Sequence, residues 1–202
     1  MTSEEYYELI IPYQDAMNLL LGRLDVLNHS LYKEKGSSFR PVHTVYSRIK
    51  KHKSLDEKLE RLNHDATPSK AREFLQDIAG IRMICYFEQD VYQMIEALKR
   101  QNDLIIVNEK DYIMHPKPNG YRSYHIILGI PVRYMDVTEY YPVEIQVRTL
   151  SMDFWASMEH RINYKQDRPD REKIQAQLLK FADTLKDMEQ SFEMYNENRP
   201  IL

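Results

Sequence analysis

Apolar residues recur at alternating spacings of four and three in two long segments, one at each end of the chain. Such a stripe places the apolar side chains along one face of a helix. We therefore predict a helical arm over residues 1–36, with Pro12 in its first turn or at a kink, and a C-terminal helix over residues 170–198. The first stripe consists of Tyr6, Ile10, Tyr13, Met17, Leu20, Leu24, Leu27 and Leu31, and the second of Ile174, Leu178, Phe181, Leu185, Met188, Phe192 and Tyr195.

The two stripes need a partner surface. Intramolecular core is the first expectation for both of them. Two such stripes on a chain of 202 residues also leave burial between subunits as an alternative for part of this surface.

The middle of the chain alternates between strand and helix patterns. Apolar, partly β-branched runs predict strands, amphipathic runs predict helices, and prolines with a glycine predict a loop. The predicted strands are 78–87, 104–107, 123–130 and 143–147, the helices are 48–62, 90–100 and 151–164, and the loop is 116–120. We therefore predict an α+β fold in which one domain, residues 1–202, has a mixed core over residues 40–165 between helical ends.

Composition excludes several classes of protein. Hydrophobic residues make up 43% of the chain and charged residues 29%, which is typical of a folded domain and not of a disordered one. No apolar run is long enough to cross a bilayer, and the chain opens with Glu4 and Glu5, unlike a secretory signal. The single cysteine, Cys85, lies in an apolar run and is expected to be a buried hydrophobe. We expect a cytoplasmic protein without a membrane partner.

Positive charge is concentrated in one short stretch of a chain whose net charge is −3. An acidic chain with one basic cluster suits a small polyphosphate better than a long nucleic acid, so stable DNA binding is not expected. The alternative is a solvated helix face. The cluster consists of Arg48, Lys50, Lys51, Lys53, Lys58 and Arg61.

Residues 110–125 place basic, amide, aromatic and imidazole groups around the predicted loop. A tyrosine on a rigid loop is a platform on which a base can stack, and neighbouring cations can meet phosphates. The alternative is a polar surface hairpin whose tyrosines pack on the strands.

Two carboxylates flank or interrupt apolar strands. Asp77 precedes the strand at 78–87 and Glu144 lies inside the strand at 143–147. Because an unpaired buried charge is costly, each needs a partner. The pair could share one Mg²⁺, which prefers oxygen ligands and bridges nucleotide phosphates. Alternatively, Asp77 pairs with Arg82 and Glu144 with Arg148. The dipeptide at 64–65, His-Asp, is interpreted as a turn that ends a helix.

Several motifs together resemble the synthetase domain of RelA/SpoT-type alarmone synthetases. Their order and spacing agree over residues 40–165, and the last of them are similar to the stand-alone members, the small alarmone synthetases. The motifs are RIK at 48–50 with Ser54 and Lys58, DIAGIR at 77–82, the loop at 110–125, EIQVRT at 144–149, and MDFWA at 152–156 followed by Glu159-His160 and Tyr164-Lys165.

The resemblance implies a nucleotidyltransferase-like mixed sheet flanked by helices. It also implies an Mg²⁺-dependent enzyme that transfers pyrophosphate from ATP to the ribose 3′-hydroxyl of GDP or GTP, and it implies a homotetramer. By this resemblance, Arg48 and Arg82 would hold the adenine side of ATP, and Lys50 and Lys58 would face its phosphates. Asp77 and Glu144 would serve in metal binding and catalysis. The acceptor nucleotide would be bound by Tyr121, Lys117, Asn119 and His125, with Lys110, Gln146 and Arg148 in support.

The resemblance leaves rival functions open, and the chain departs from the long members of the family at Asn108. A relative could pyrophosphorylate adenosine nucleotides or tRNA, or could bind nucleotide or RNA without turnover. At Asn108 the long bifunctional members have a basic residue, so their metal preference does not transfer to this chain.

Overall fold

The computed structural model describes residues 1–34, 40–163 and 171–197. Within them a mixed five-stranded sheet is flanked by helices, which confirms the predicted α+β class. The elements are α1 (Ser3–Glu34), β1 (Val42–Ile49), α2 (His52–Arg61), α3 (Pro68–Phe74), β2 (Ala79–Cys85), α4 (Glu88–Lys99), β3 (Ile105–Asp111), β4 (Tyr124–Tyr134), β5 (Val137–Thr149), α5 (Leu150–Asn163) and α6 (Arg171–Glu197).

The strand order across the sheet is β1-β2-β5-β4-β3. Strands β2 and β5 are parallel, and the other neighbouring pairs are antiparallel. The parallel pair lies near the middle of the sheet, so it brings two distant parts of the chain side by side. Ala79 is paired with Val143, and Gly80 with Glu144.

Helix α1 supplies much of the core. Its stripe lies against the sheet, with Tyr13, Met17, Leu20 and Leu24 buried, and Pro12 lies inside the continuous helix. Helix α4 covers the same side of the sheet and buries its apolar face there. The prediction that the first stripe is intramolecular core is therefore confirmed.

The stripe on α6 behaves differently. Leu178 is buried, together with Ala182, in a small cluster with Trp155. Further along the helix, Phe181, Met188 and Phe192 are exposed. The expectation of intramolecular core is confirmed for Leu178 and wrong for Phe181, Met188 and Phe192, because α6 contacts the rest of the chain along only part of its length.

One predicted helix begins too early. The basic segment 48–62 was expected to be helical from Arg48, but β1 continues to Ile49, paired with Ala79, and α2 begins at His52. Pairing with β2 outweighs the helical pattern, since each ladder bond satisfies a backbone group. Strands β3, β4 and β5 also run further than the apolar runs predicted. The predicted end of the N-terminal helical arm at residue 36 and the resemblance at 164–165 lie outside the described residues.

Local sequence explains one end of each of two helices, and the predicted end of a helix at 64–65 is confirmed. Helix α3 starts with Pro68 in its first turn, and Thr67 accepts a hydrogen bond from the backbone N–H of Lys70. The segment at 63–65 ends α2, with Asn63 at a φ of 58° and the ring of His64 stacked on Phe74. Cys85 is fully buried, and burial raises the pKa of its thiol, which makes it a poor nucleophile.

Gly120 is required by its backbone conformation. Its φ is +93°, and a Cβ at this position would lie 2.8 Å from the Cβ of Ala182 on α6. We expect Gly120→Ala to lower the free energy of unfolding by about 1–3 kcal/mol, measured by chemical denaturation. Gly22→Ala is the matched control: Gly22 is helical with nothing within 4 Å of the added Cβ, so this change should be neutral or stabilising. Equal effects of the two variants would contradict the prediction.

Candidate active site

Strand register places the predicted site residues on one face of the sheet. Across the ladder, Arg48 is opposite Gly80, Gly80 is opposite Glu144, and Arg82 is opposite Gln146. Gln146 is also opposite His125, which is opposite Lys110. Because side chains opposite each other share a face and alternate along a strand, these residues face one way. The site face is defined by Arg48, Arg82, Glu144, Gln146, Arg148, His125 and Lys110. The other face carries the apolar core.

Asp77 is held by two lysines at the start of β2. Its Oδ2 accepts hydrogen bonds from Nζ of Lys50 at 2.5 Å and of Lys58 at 2.8 Å. Burial alone would raise the pKa of Asp77, but the hydrogen bonds from the lysines outweigh it, so the pKa lies below its usual range. Asp77 is therefore a carboxylate at neutral pH, with two cations directed at one oxygen.

Only part of the predicted basic cluster joins this site. Lys50 and Lys58 are mostly buried, with 17% and 31% of their side chains exposed, whereas that of Lys53 is 88% exposed. The solvated-face alternative thus describes Lys53, while Lys50 and Lys58 face the carboxylate.

Glu144 is joined to Tyr121 through one imidazole. His125 Nδ1 lies 3.4 Å from Glu144 Oε1, and its Nε2 lies 2.8 Å from the hydroxyl of Tyr121. The hydrogen bond from His125 lowers the pKa of Glu144, while burial and the negative charge of Asp77 raise it; the net shift is downward.

Arg148 is a buried hub, with only 6% of its side chain exposed. Its Nη2 donates to the hydroxyl of Tyr121 and to Oε1 of Gln146, both at 2.7 Å. Its Nε donates to Ser123, and its Nη1 donates to Asp153 at 3.2 Å. A guanidinium with this many partners is fixed in place, and it fixes the tyrosine hydroxyl in turn.

The pairs expected from sequence proximity are absent from the described residues. Asp77 bonds to Lys50 and Lys58 and not to Arg82, and the ionic contact of Arg148 is Asp153 and not Glu144. The alternative interpretation of the two carboxylates as local ion pairs is therefore wrong.

A cleft opens on the side of β1 and β2. It encloses about 260 Å³ and is lined by Tyr46, Arg48, Arg82 and Glu144, among others. Burial and the neighbouring Arg148 lower the pKa of the Arg82 guanidinium, which Asp153 partly offsets. Two arginines on adjacent strands suit an anionic or flat aromatic ligand here.

The loop before β4 presents Tyr121. The backbone N–H of Gly120 donates to the carbonyl of Lys117 at 2.8 Å, and that of Tyr121 donates to Oδ1 of Asn119 at 3.2 Å. The ammonium of Lys117 lies 4.9 Å from the centre of the Tyr121 ring and 4.8 Å from that of Tyr112. A base stacking on this face of Tyr121 would displace an exposed, flexible lysine.

A divalent cation fits the two carboxylates. Asp77 Oδ1 is buried and has no hydrogen-bond partner among the described residues, so one oxygen remains for a ligand. Asp77 also repels Glu144, and both have a lowered pKa, which a shared cation would favour further. A protein often supplies only one or two carboxylates to an Mg²⁺ site, because phosphate oxygens and waters provide the remaining ligands. No cluster of three or more metal-binding side chains occurs in the described part of the chain.

Sequence reasoning missed several residues of the site. Asp153 contacts both Arg82 and Arg148, and Ser123 accepts from Arg148. Trp155 packs edge-on against Tyr121, with ring centres 6.4 Å apart. The motif at 152–156 carried the signal for Asp153 and Trp155, but only as part of a resemblance. Of the residues that sequence reasoning did name, Lys110 is exposed at the outer strand β3.

Two curated relatives from Bacillus subtilis match most of the chain. GTP pyrophosphokinase YwaC is 40% identical over 162 residues, 80% of this chain and 76% of the relative. GTP pyrophosphokinase YjbM is 33% identical over 183 residues, 91% of this chain and 84% of the relative. A family model described as a region found in RelA/SpoT proteins matches residues 47–169.

Solved structures agree with these matches. Small alarmone synthetase 1 from B. subtilis, bound to its product pppGpp, has a TM-score of 0.81 and 30% identity, covering 96% of this chain and 98% of that one. Small alarmone synthetase 2 from B. subtilis has a TM-score of 0.83 and 35% identity, covering 98% and 100%.

The fold, the site face and these matches define an enzyme of the pyrophosphokinase class. The chain belongs to the RelA/SpoT family, and within it to the small alarmone synthetases. Among the described residues, no helix is both long and apolar enough to span a membrane.

Proposed function

We propose that this protein transfers pyrophosphate from ATP to the ribose 3′-hydroxyl of GDP or GTP, with Mg²⁺, and releases AMP. One observation carries the proposal: the carboxylate of Glu144, which lines the same cleft as Arg48 and Arg82, is linked through His125 to Tyr121. Metal-binding and base-stacking groups therefore share one side of one sheet. The names of the two B. subtilis relatives and the pppGpp in the solved structure support this choice of substrates.

We assign the ATP subsite to the β1–β2 side of the site face. Arg48 and Arg82 line the cleft and would hold the adenine, since guanidinium groups stack on aromatic rings. Lys50 and Lys58 would meet the phosphates, because a polyphosphate can replace Asp77 as their anionic partner.

Asp77 and Glu144 would hold Mg²⁺. When bound, the ion neutralises phosphate charge and orients the phosphates for in-line attack. The orphaned oxygen of Asp77 is the group that supports this assignment.

The acceptor subsite is assigned to the loop before β4. Tyr121 would stack on guanine, and Lys117, Asn119 and His125 surround it. Arg148 donates to the hydroxyl of Tyr121 and to Gln146, and Lys110 lies opposite His125 on the outer strand. This arrangement would place the acceptor ribose near Glu144.

The chemistry is a displacement at the β-phosphorus of ATP. The bond from O3′ of the acceptor to the β-phosphorus forms, the bond from that phosphorus to the bridging oxygen of the α-phosphate breaks, and AMP leaves. Glu144, an ionised carboxylate beside the acceptor subsite, would accept the proton of the 3′-hydroxyl. Lys50 and Lys58 would stabilise charge on the departing and transferred phosphates.

A product assay tests the proposal directly. Purified protein with ATP, Mg²⁺ and GDP is expected to yield ppGpp and AMP in equal amounts, measured by anion-exchange chromatography. GTP, GMP, ADP and tRNA offered in parallel identify the acceptor. Absence of 3′-pyrophosphorylated guanosine at high enzyme concentration would refute the proposed function, and a product on ADP or tRNA alone would replace guanosine as the acceptor.

Two substitutions at Tyr121 distinguish the contribution of ring stacking from that of the hydroxyl hydrogen bonds. We expect Tyr121→Ala to weaken acceptor binding by about 1–3 kcal/mol, because base–aromatic stacking has that magnitude. Tyr121→Phe keeps the ring but loses the hydroxyl held by Arg148 and His125, so it should retain most of the affinity and lower kcat. The acceptor Kd measured by calorimetry checks both, and an unchanged Kd in Tyr121→Ala would remove this residue from the subsite.

We also propose that the chain works as one synthetase domain in the cytoplasm and forms a homo-oligomer, a tetramer by family resemblance. The support is the exposed apolar side of α6, where Met188, Phe192 and Tyr195 line a cavity of about 520 Å³ with Tyr86 and Leu150. Light scattering at micromolar concentration measures the mass, and a monomeric mass would contradict the oligomer.

A further inference from the structure

Asp153 lies where the two proposed subsites meet. Its Oδ1 is 3.2 Å from Nη1 of Arg148 and 3.5 Å from Nη1 of Arg82. It belongs to the first turn of α5, where a helix favours negative charge. One carboxylate oxygen therefore faces two guanidinium groups that come from adjacent strands.

Each guanidinium leads to a different subsite. Arg148 holds the hydroxyl of Tyr121, and through Tyr121 it reaches His125 and the acceptor side. Arg82 lines the cleft assigned to ATP, opposite Gln146 in the ladder. A displacement of Arg82 would thus affect the subsite assigned to ATP, and a displacement of Arg148 would affect the acceptor subsite.

The two arginines need a common anion. Arg82 and Arg148 repel each other, and burial together with this repulsion lowers the pKa of Arg82, while the charge of Asp153 acts in the opposite direction. With only 23% of its side chain exposed, Asp153 interacts more strongly than a surface ion pair would. The carboxylate of Asp153 therefore contacts both arginines and offsets part of the repulsion between them.

We propose that Asp153 is a positioning residue that couples the ATP and acceptor subsites by fixing Arg82 and Arg148 relative to each other. This inference rests on the proposed function. Without the carboxylate, Arg148 keeps Tyr121, Gln146 and Ser123, but Arg82 loses this anionic contact and moves away from Arg148. Binding of one nucleotide then no longer changes the affinity for the other.

Calorimetry on the full chain tests the coupling. The Kd for GDP is measured with and without a non-hydrolysable ATP analogue in the parent protein and in Asp153→Asn. We expect the analogue to change the parent Kd by about fivefold or more, and this factor to fall towards one in the variant. Asp153→Asn should also raise KM for both nucleotides, whereas Asp153→Glu, which restores the charge, should recover part of the coupling.

A matched control removes an ion pair elsewhere. Asp103 accepts hydrogen bonds from Nη1 and Nη2 of Arg23 at 2.5 and 2.7 Å, and neither residue belongs to the site face. Asp103→Asn should leave the coupling factor unchanged. Melting temperatures of both variants separate lost positioning from lost stability.

Three results would overturn the role of Asp153: no coupling in the parent, unchanged coupling in Asp153→Asn, or tighter nucleotide binding in that variant, which would make Asp153 a competitor for the arginines. If Asp153→Asn unfolds below the assay temperature, Arg82→Lys, which keeps the charge but loses the planar contact, must lower the same factor. A parent protein that makes no 3′-pyrophosphorylated product refutes the proposed function, whereas an active parent with unaltered coupling in the variants refutes the positioning role alone.

Discussion

Glu144→Gln is expected to reduce kcat by about 10²–10⁴-fold, the usual contribution of a general base. Glutamine keeps the size of the side chain and an oxygen that can accept from Nδ1 of His125, so His125 and Tyr121 should stay in place. The change removes only the ability of residue 144 to take a proton and one negative charge at the proposed metal site. Single-turnover rates with ATP and GDP measure the loss, and calorimetry with the ATP analogue checks that both nucleotides still bind.

Glu139→Gln is the control for this change. Glu139 lies on the same strand, β5, but is exposed and bonds to the hydroxyl of Tyr141. Its variant should retain full activity. A normal rate in Glu144→Gln would remove Glu144 from catalysis, and a loss confined to nucleotide affinity would assign it to binding instead.

Asp77→Asn is expected to lower kcat/KM by about 10³-fold, because the change removes the carboxylate that we propose as a metal ligand, and such a ligand contributes several kcal/mol in phosphate chemistry. It also leaves Lys50 and Lys58 side by side without their shared carboxylate. Binding of Mn²⁺ alone, followed by electron paramagnetic resonance, should weaken in the variant in the absence of turnover. The concentration of Mg²⁺ that gives half-maximal activity should rise.

The control for Asp77 is a carboxylate of the same type away from the site. Asp136 is exposed in the turn between β4 and β5, so Asp136→Asn should bind Mn²⁺ and turn over like the parent. If Asp77→Asn binds Mn²⁺ as tightly as the parent, Asp77 acts by holding the lysines and not by holding the metal.

The helices were the most predictable part of the fold. The stripe of α1 repeats often enough to define one face, and that face is the core. Strand β1 was not among the predicted strands, because its side chains are mostly exposed and its hydrogen bonds run to β2, which is distant in the sequence. Strand β3 is also exposed along most of its length, so its extent beyond the apolar run could not be predicted from the sequence pattern.

The carboxylates could be chosen from the sequence, but their partners could not. Arg148 was proposed for Glu144, yet four residues along a strand separate the two by about 13 Å, too far for a direct ion pair. Lys50 and Lys58 reach Asp77 only because β1 pairs with β2 and α2 follows it. Asp153 was missed because an acidic residue in the first turn of a helix has an ordinary explanation in the helix dipole.

The parallel pairing of β2 with β5 has a consequence for how activity arises as the chain folds. Asp77 and Glu144 come from segments separated by α4, β3 and β4, so no local folding unit contains both. Contacts between such distant segments carry a high cost in loop closure and tend to form late. Partly folded chains would therefore be unable to consume ATP, and the onset of turnover during refolding would mark completion of the central sheet.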